Sequence, residues 1–463
     1  MYDVLDPRDL LEAELDQCRE SGRAIAPIED AVLAALADGS AADRQRMLRA
    51  LRELPMASEW PYDEPSSFEA IWATLPAPPP APLALDGDAL RDRLLAAWSG
   101  RVAGCMLGKA VEGWGRVAIR SYLEAHDAYP LNAYLPAPRT REEAQALVAC
   151  WIESTAGNIH CAARDDDIDY TILGVHILEQ HGFGFGPEHV AAEWLDHFPF
   201  TQVYTAERAA YRNLLQGMRA PETAIHDNPY REWIGAQIRA DVWGYISPGR
   251  PEAAAALAFQ DASLSHTANG IYGAMWAAAL IAASFFAADL PAALDASLAA
   301  IPPRSRLAEA LRQVIALHAS GLDWEAARDE IERSYGHYEW VHTINNAAVV
   351  SAALLWGDED FTKVVGLAVQ GGWDTDCNGA TAGSAFGARY GSAAIPEHWV
   401  TPLKNRLRSA LFGFDNSKIS DLAERTAVLG EAHLEARQKA AAARPPDALD
   451  IATGPCDHGL VNR

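Results

Sequence analysis

The sequence predicts an all-α protein built around one large multi-helix core. From residue 88 to about residue 435, stretch after stretch shows apolar residues at helical spacing. No run of alternating β-branched residues stands out, and no Asn-Gly hairpin joins two strand-like runs. The segment from Thr74 to Gly87, TLPAPPPAPLALDG, is so rich in proline that it cannot be helical, and it separates the core from the residues before it.

Four segments follow one another along the chain. Residues 1–73 are predicted to form short helices, because apolar residues recur there at helical spacing. These residues are Leu10, Leu11, Leu15, Ile28, Val32, Leu33 and Leu36. Residues 74–87 are a semi-rigid linker, and Asp86 or Asp88 can cap the next helix. Within the core, residues 88–435, the stretch 143–155 is one of the predicted helices. Residues 436–463 are interrupted by proline, so they are predicted to form a tail that lies on the surface or frays.

Charge narrows the classes of partner. The 463 residues include 63 acidic and 38 basic ones, which gives a formal net charge of −25. Such a surface repels phosphate backbones and anionic lipid, so we expect no nucleic-acid partner and no membrane partner. The acidic residues are therefore either solvated surface or, in part, gathered to hold cations.

Cysteine usage and the N-terminus predict a cytoplasmic protein. The six cysteines have no zinc-type spacing and are too sparse for a disulfide framework. The first residues, MYDVLDPRDLLEAELD, lack the apolar region of a signal peptide. The uncharged run from Gly270 to Ala288 approaches membrane-spanning length, but its Ala and Gly content favours a central helix of the core.

A stripe of glycines forms the first motif of interest. Gly100, Gly104 and Gly108 recur every fourth residue, and Glu112 continues the spacing. Each glycine in a helix interior costs about 1 kcal/mol relative to alanine, so another backbone or a ligand is expected to come close. Tight helix packing with an exposed glutamate at the helix end explains the stripe equally well.

Consecutive aspartates form the second motif. Asp165, Asp166 and Asp167 repel one another unless they are solvated or neutralised by a cation. Hard oxygen ligands of this kind bind Mg²⁺ or Ca²⁺. An acidic helix start, favoured by the helix dipole, is the structural alternative. The apolar helix that follows, YTILGVHIL, is predicted to be buried.

The third motif is a Gly-rich loop with two carboxylates. Asp374 and Asp376 are followed by a second stripe of glycines, at positions 379, 383, 387 and 391. The further oxygen ligands of a helix–loop–helix calcium site are absent from this loop. Together with the aspartates at 165–167, the loop supplies five carboxylates, which suit two divalent ions about 3.5–4 Å apart.

These motifs resemble the ADP-ribosylglycohydrolase family, and they occur in the family's order over roughly residues 90 to 400. The matching segments are GRVAGCMLGKAVEGW from Gly100, DDDIDYT from Asp165, GAQIRADVWG from Gly235, SHTANGIYGAM from Ser265 and GGWDTDCN from Gly371. The resemblance implies an orthogonal bundle of helices and a centre of two Mg²⁺ ions, or Mn²⁺ in some members. It also implies cleavage of the bond between ADP-ribose and a protein side chain or small acceptor.

The resemblance also implies roles for individual residues. Its metal ligands correspond to Asp165, Asp166, Asp167, Asp374 and Asp376, and Cys377 occupies a position that usually carries Thr or Ser. Its catalytic candidates are Glu112, Asp166 and Asp374. Arg239 and His266 are expected to contact the diphosphate and distal ribose, and Asn269 is a further substrate-binding candidate. Apart from the resemblance, the segment EWVHTINN places His342, Asn345 and Asn346 on one helix face. His342 is therefore either a substrate-binding candidate or, like most lone histidines on an apolar helix, a hydrogen-bonded core residue.

Three residues depart from the family pattern. Asp165 replaces Thr or Ser and adds a negative charge. Because a thiol is a poor ligand for Mg²⁺, Cys377 predicts loss of that contact, its transfer to backbone or water, or preference for a softer ion such as Mn²⁺. Trp373 is inserted into the loop, where it either stacks on a base or ribose or only wedges the loop.

Several functions stay open at this point. The first is metal-dependent hydrolysis of ADP-ribosyl or related N-ribosyl bonds. The others are a binuclear phosphohydrolase acting on a nucleotide diphosphate, a protein that binds ADP-ribose without turnover, and a nucleoside-type glycosidase for a small metabolite. Residues 1–85 lie outside the resemblance. Three roles stay open for them: capping the core, restricting access to it, or mediating oligomerisation.

Overall fold

Helices make up nearly all of the regular structure in the computed structural model, which describes residues 4–78 and 85–442. The prediction of an all-α fold is confirmed. The middle of the predicted linker, residues 79–84, and the predicted tail from residue 443 onward lie outside the described residues. The last helix continues past residue 435 to Ala442.

The helices before and in the first half of the core follow in this order: α1 (Pro7–Glu20), α2 (Glu29–Asp38), α3 (Ala41–Arg52), α4 (Phe68–Trp72), α5 (Gly87–Gly108), α6 (Arg116–Ala125), α7 (Arg141–Ala146), α8 (Trp151–Ser154), α9 (Asp166–His181), α10 (Pro187–His197), α11 (Thr205–Leu215) and α12 (Glu222–Ile225). Asp86 caps α5 by accepting a hydrogen bond from the amide of Ala89 at 2.9 Å, as one of the two predicted caps.

The second half of the core contains α13 (Gly235–Ile238), α14 (Asp241–Tyr245), α15 (Pro251–Ala262), α16 (Ala268–Ser284), α17 (Leu290–Ser297), α18 (Arg306–Ala319), α19 (Trp324–Tyr335), α20 (Thr343–Trp356), α21 (Phe361–Gln370), α22 (Thr375–Tyr390), α23 (Glu397–Val400) and α24 (Ile419–Ala442). Two short antiparallel strands, β1 (Arg406–Leu407) and β2 (Ser417–Lys418), precede α24.

Helix α16 contains most of the long apolar run. Its side chains from Asn269 to Ser284 are all buried, on every face of the helix. It packs against α14, α15, α17 and α22, so neighbouring helices cover it on several sides. Among the described residues, no helix is long and apolar enough to cross a membrane.

One predicted helix is wrong in detail. The stretch 143–155 is divided into α7 and α8, because Leu147 adopts an extended backbone conformation and ends α7. The break lets the amide of Val148 donate a hydrogen bond to the carbonyl oxygen of Ala110 at 3.0 Å. Tertiary contact with the segment before Glu112 therefore overrides the local helical pattern.

The N-terminal helices pack on the core and form a second hydrophobic cluster with it. Leucine and valine side chains of α1, α2 and α3 meet Ala206, Ala209, Tyr230 and Trp233 of the core. Buried ion pairs reinforce the contact: Glu14 accepts hydrogen bonds from both terminal nitrogens of Arg231, at 2.7 and 2.8 Å. Residues 4–72 thus share a continuous interior with the core.

Candidate active site

The two glycine stripes lie against each other. Helices α5 and α22 run antiparallel, with Gly100 opposite Gly383, Gly104 opposite Gly379, and Gly108 opposite Thr375. A Cβ atom on Gly104 would overlap the carbonyl oxygen of Gly379, so only glycine permits this approach. Each stripe is explained by another backbone coming close, and that backbone belongs to the other stripe.

This antiparallel pairing places Glu112 beside the loop that carries Asp374. Helix α5 ends at Gly108, a 3₁₀ turn covers Lys109–Val111, and Glu112 follows it. The amide of Gly113 donates a hydrogen bond to the carbonyl oxygen of Trp373, and the amide of Trp373 donates to that of Trp114, both at 2.9 Å. The two loops are therefore paired by backbone hydrogen bonds.

Two trios of ligand atoms meet at Asp376. Asp165, Asp167 and Asp376 form one group, and Asp374, Asp376 and Cys377 form the other. Within each trio the three ligand atoms lie within 4.8 Å of one another, and all five side chains are buried. Asp166 is half-buried at the first turn of α9 and belongs to neither trio.

Basic residues of α5 and the turn after it balance part of this charge. Lys109 forms an ion pair with Asp165. Arg101, which is fully buried, lies between Asp167 at 3.3 Å and Asp241 at 2.9 Å. Sequence reasoning missed both basic residues, because their charged partners lie 56 or more positions away in the chain.

Two buried carboxylate oxygens are suited to bind a cation. Oδ1 of Asp374 and Oδ1 of Asp376 are both buried and have no hydrogen-bond partner among the described residues. Buried polar atoms nearly always have a partner, and a carboxylate oxygen can only accept. These two oxygens are therefore available to a cation.

Asn346 holds the loop that presents these oxygens. Its Oδ1 accepts hydrogen bonds from the amide of Asp374 at 3.1 Å and from Nδ2 of Asn378 at 2.8 Å. The sequence placed Asn346 on one helix face with His342 and Asn345, but nothing in the sequence connected it to Asp374.

The protonation of the carboxylates reflects crowding. Burial, and then the charge of Asp376, raises the pKa of Asp374 well above its ordinary value. Burial and Asp165 raise the pKa of Asp376 to about 6, and likewise raise the pKa values of Asp166 and Asp167. Burial acts in the same direction on Asp165, but Lys109, Arg164 and the amide of Asp167 together outweigh it and lower the pKa of that carboxyl.

Glu112 and Cys377 respond to the same surroundings. Burial, followed by the charges of Asp376 and Asp165, raises the pKa of Glu112 well above its ordinary value. Burial and Asp167 raise the pKa of the Cys377 thiol, which donates a hydrogen bond to Oδ2 of Asp167 at 3.1 Å. Without a cation, the crowding of these acids therefore favours their protonated forms.

The donor set fits a pair of hard divalent cations. Asp165 and Asp167 provide oxygens on one side, Asp374 provides them on the other, and Asp376 lies in both trios. Carboxylate oxygens suit Mg²⁺ or Mn²⁺, and a metal bond to the Cys377 sulfur would favour the softer of the two ions.

Trp373 is buried rather than open to solvent. It is 7% exposed, and the guanidinium of Arg328 lies over its ring at 4.0 Å from the centroid. Its backbone has a φ of +68°, which side-chain-bearing residues rarely adopt. Arg328 also donates hydrogen bonds to the carbonyl oxygen of Gly371, at 2.8 and 2.9 Å. This geometry favours the alternative in which the indole wedges the loop.

Arg239 and His266 lie together in a second buried network. Arg239 is 2% exposed and forms ion pairs with Glu207 and with Asp261. Nε2 of His266 lies 4.0 Å from Oε1 of Glu207, and burial lowers the pKa of this imidazole well below its ordinary value. The positive charge of Arg239 is therefore already balanced by two carboxylates.

Asn269 connects the core to the N-terminal segment. It donates hydrogen bonds to Glu64 at 2.8 Å and to Glu232 at 2.9 Å. Arg306 pairs with the same two carboxylates, at 2.9 and 2.6 Å. His342 is buried nearby, and its pKa is lowered to about 3 by burial. The structure thus brings five of the six predicted metal ligands into the two trios, all but Asp166, and ties these substrate-binding candidates to other acids.

A cavity of about 1110 Å³ lies between α1 and the core. Acidic and aromatic side chains line much of it, among them Glu20, Trp60, Tyr62, Glu309 and Tyr338. Its wall includes Glu339, three residues before His342 and seven before Asn346. The N-terminal segment therefore forms one side of this cavity.

Comparison with known proteins now adds to this geometry. The sequence profile of the ADP-ribosylglycohydrolase family matches residues 86–438. A solved structure described as an ADP-ribosylglycohydrolase-related protein complex is similar to this chain with a TM-score of 0.46 and 18% sequence identity. The similarity covers 75% of this chain and 99% of the other. No curated protein sequence matches the chain.

Proposed function

Because this chain belongs to the ADP-ribosylglycohydrolase family, we propose that it hydrolyses the glycosidic bond between ADP-ribose, or a related ribosyl group, and a protein side chain or small acceptor. We propose that the reaction requires two divalent cations, Mg²⁺ or Mn²⁺. The observation that supports this most is Asp376, which lies in both ligand trios and has a buried oxygen that makes no hydrogen bond to any described residue.

The proposed ligands divide into two overlapping sets. Asp165, Asp167 and Asp376 would hold one cation, and Asp374, Asp376 and Cys377 the other. Asp166, half-buried beside them, would complete the first set or contact the substrate. When bound, the cations would orient the ribose hydroxyls and lower the pKa of a water molecule.

Glu112 is the proposed proton donor and acceptor. It lies at the end of the glycine stripe, in the loop paired with Trp373, and faces the charges of Asp376 and Asp165. Cleavage at the ribose C1 atom develops oxocarbenium character, and the leaving group needs a proton. A carboxyl with a raised pKa can hold that proton, and its carboxylate can later take one from water.

The proposed substrate-binding residues act mainly through neighbours. Arg239 and His266 would orient the diphosphate region, with Glu207 and Asp261 fixing the guanidinium. Asn269 and His342 would shape the wall near Glu232, and Trp373 would keep the Asp374 loop in place. We further propose a catalytic core over residues 88–435, with residues 1–73 restricting access to it. Cytoplasmic location stays a prediction.

The test is product analysis with defined substrates. Purified protein, stripped of metal and then given Mg²⁺ or Mn²⁺, is incubated with peptides ADP-ribosylated on arginine or serine and with a small ADP-ribosyl compound. We expect release of free ADP-ribose. Release of AMP or phosphate instead would show a phosphohydrolase, and binding of ADP-ribose without turnover would show a reader.

Variants connect the products to the site. Asp374→Asn combined with Asp376→Asn should abolish both metal binding and turnover, and Glu112→Gln should lower turnover while metal binding persists. Asp421→Asn, a change of the same kind at an exposed position on α24, should leave both unchanged. Full activity after complete removal of metal would refute the proposal.

A further inference from the structure

Three histidines surround one carboxylate at a distance along α9 from the candidate active site. Nε2 of His176 and Nε2 of His197 lie 3.1 and 3.2 Å from the same oxygen of Glu193, Oε2. Nε2 of His181 lies 2.7 Å from the other oxygen, Oε1. Along α9, His176 is ten residues from Asp166, or about 15 Å at the usual helical rise.

Helix geometry builds this cluster. His176 lies on α9, whereas Glu193 and His197 are four positions apart on α10 and therefore share a face. The donor atoms of these three residues lie within 4.8 Å of one another. Their side chains are 15%, 10% and 20% exposed, so the group is accessible from solvent without being loose on the surface.

One hydrogen bond of His197 fixes which of its ring nitrogens faces Glu193. Nδ1 of His197 lies 3.0 Å from the carbonyl oxygen of Phe412, which can only accept, so this nitrogen carries the proton. In the neutral ring, Nε2 then offers a lone pair toward the lone pairs of Glu193. Among the described residues, the ion pairs of Glu193 all go to histidines, and the nearby Arg425 is bound to Glu179 at 2.7 Å.

We propose that His176, Glu193 and His197 form a second metal site, for a transition-metal dication of the Zn²⁺ class. Two imidazoles and a carboxylate are a ligand set that Zn²⁺ accepts, with water filling the open position. At Zn–ligand bonds of 2.0–2.1 Å, tetrahedral ligand atoms lie about 3.3 Å apart, close to the two separations in the structure.

Two contacts support the ligands from outside. The carbonyl oxygen of Phe412 fixes the tautomer of His197 that presents Nε2 to the metal, and His181 holds the oxygen of Glu193 that the metal does not take. Phe414 packs against both ligand imidazoles, with ring centroids 5.0 and 5.3 Å away. A bound ion would link α9 to α10.

The experiment uses full-length protein with Asp374→Asn and Asp376→Asn, so that the candidate active site does not compete. After chelation and dialysis, Zn²⁺ is titrated by calorimetry, and Co²⁺ by its visible absorption. We expect one Zn²⁺ per chain, a raised melting temperature, and a Co²⁺ spectrum with no thiolate charge-transfer band, because the proposed site contains no sulfur.

Changing the ligands tests the assignment. Loss of an outer-shell partner typically costs about 10–100-fold in metal affinity, so His197→Gln, which removes a ligand, should weaken Zn²⁺ binding by at least that much. Adding His176→Gln should abolish binding. His318→Gln, the same change in a half-buried histidine of α18, should have no effect on binding. Circular dichroism in the presence of chelator shows whether each variant is folded. If the double variant does not fold, the comparison of His197→Gln with His318→Gln still tests the proposal.

Two results would overturn the proposal. One is that the parent protein binds no Zn²⁺, so that protons alone hold the histidines against Glu193. The other is that His197→Gln and His318→Gln bind Zn²⁺ with equal affinity, which would place the ion elsewhere.

Discussion

The thiol of Cys377 donates a hydrogen bond to Oδ2 of Asp167, across 3.1 Å and 210 positions of sequence. This hydrogen bond connects the first turn of α22 to the first turn of α9, where the two trios of ligand atoms meet. The sulfur thus lies among oxygens that would hold hard cations, and it should influence which cation is preferred.

Replacing Cys377 by threonine should shift the metal preference toward Mg²⁺. A hydroxyl is a harder donor than a thiol, so kcat/KM with Mg²⁺ should rise several-fold relative to kcat/KM with Mn²⁺. The ratio is measured on metal-stripped protein reconstituted with each ion. Cys161→Ser, a matched change in a half-buried cysteine outside the trios, should leave the ratio as it is. Equal ratios in all three proteins would mean that the sulfur does not contact a cation.

Without metal, the protein should lose stability as the pH rises from about 4 to above 6. The pKa of Asp376 is about 6 in the folded chain against 3.8 ordinarily, and those of Asp374 and Glu112 are raised too. In this range the folded state binds more protons than the unfolded state, so the free energy of unfolding falls with pH, by roughly 2 kcal/mol for Asp376 alone.

Denaturant unfolding in chelator at pH 4.5, 6 and 7.5 measures this slope. Saturating Mg²⁺ should flatten it, because the cations replace the protons. Asp374→Asn with Asp376→Asn should flatten it without metal, since the amides do not titrate. A slope that is the same in all three cases would place its cause outside the carboxylate centre.

Gly104→Ala should destabilise the protein, although alanine is the better helix former. Helix propensity alone predicts a gain of about 1 kcal/mol. The added Cβ would instead overlap the backbone of Gly379 and force α5 and α22 apart, at a cost of about 3 kcal/mol. Urea unfolding compares it with Gly184→Ala, where a Cβ meets nothing within 4 Å. If the Gly104→Ala protein is as stable as the Gly184→Ala protein, the two glycine stripes are not in close contact.

Glu14→Gln should weaken the attachment of the N-terminal segment. Glu14 is fully buried against Arg231, so the change leaves a buried guanidinium without its counter-charge and costs about 3 kcal/mol. Limited proteolysis should cut the segment faster, and urea should unfold the protein earlier. Glu12→Gln, an exposed position on the same helix, should change neither measurement. Equal proteolysis of the two variants would contradict the role of this ion pair.

The sequence was sufficient for the fold class, and it singled out the aspartates that we propose as metal ligands. Helical periodicity persists through the core, and the aspartates at 165–167 and at 374 and 376 stand out as charges beside apolar or glycine-striped helices. Charge next to a predicted buried helix is a local signal, and it needs no knowledge of distant partners.

Distant partners were what the sequence could not supply. The spacing showed that each glycine stripe needs a close neighbour, but it did not show that the neighbour of Gly104 is Gly379. Arg239 was expected to balance a diphosphate, yet Glu207 and Asp261 already pair with it. The histidine cluster was missed as well, although the spacing of Glu193 and His197 on one helix was visible and pointed to a shared face.

The antiparallel contact of α5 and α22 fixes the alignment of the two helices in one register. Where carbonyl groups interlock at Gly100, Gly104 and their partners, a slide of one residue would drive alanine or larger side chains into the opposite backbone. The next position that restores the match is four residues away, a jump of about 6 Å along the axis. Thermal motion should therefore bend or tilt this pair as a unit, and the distance between Glu112 and Asp374 should be among the least variable in the molecule.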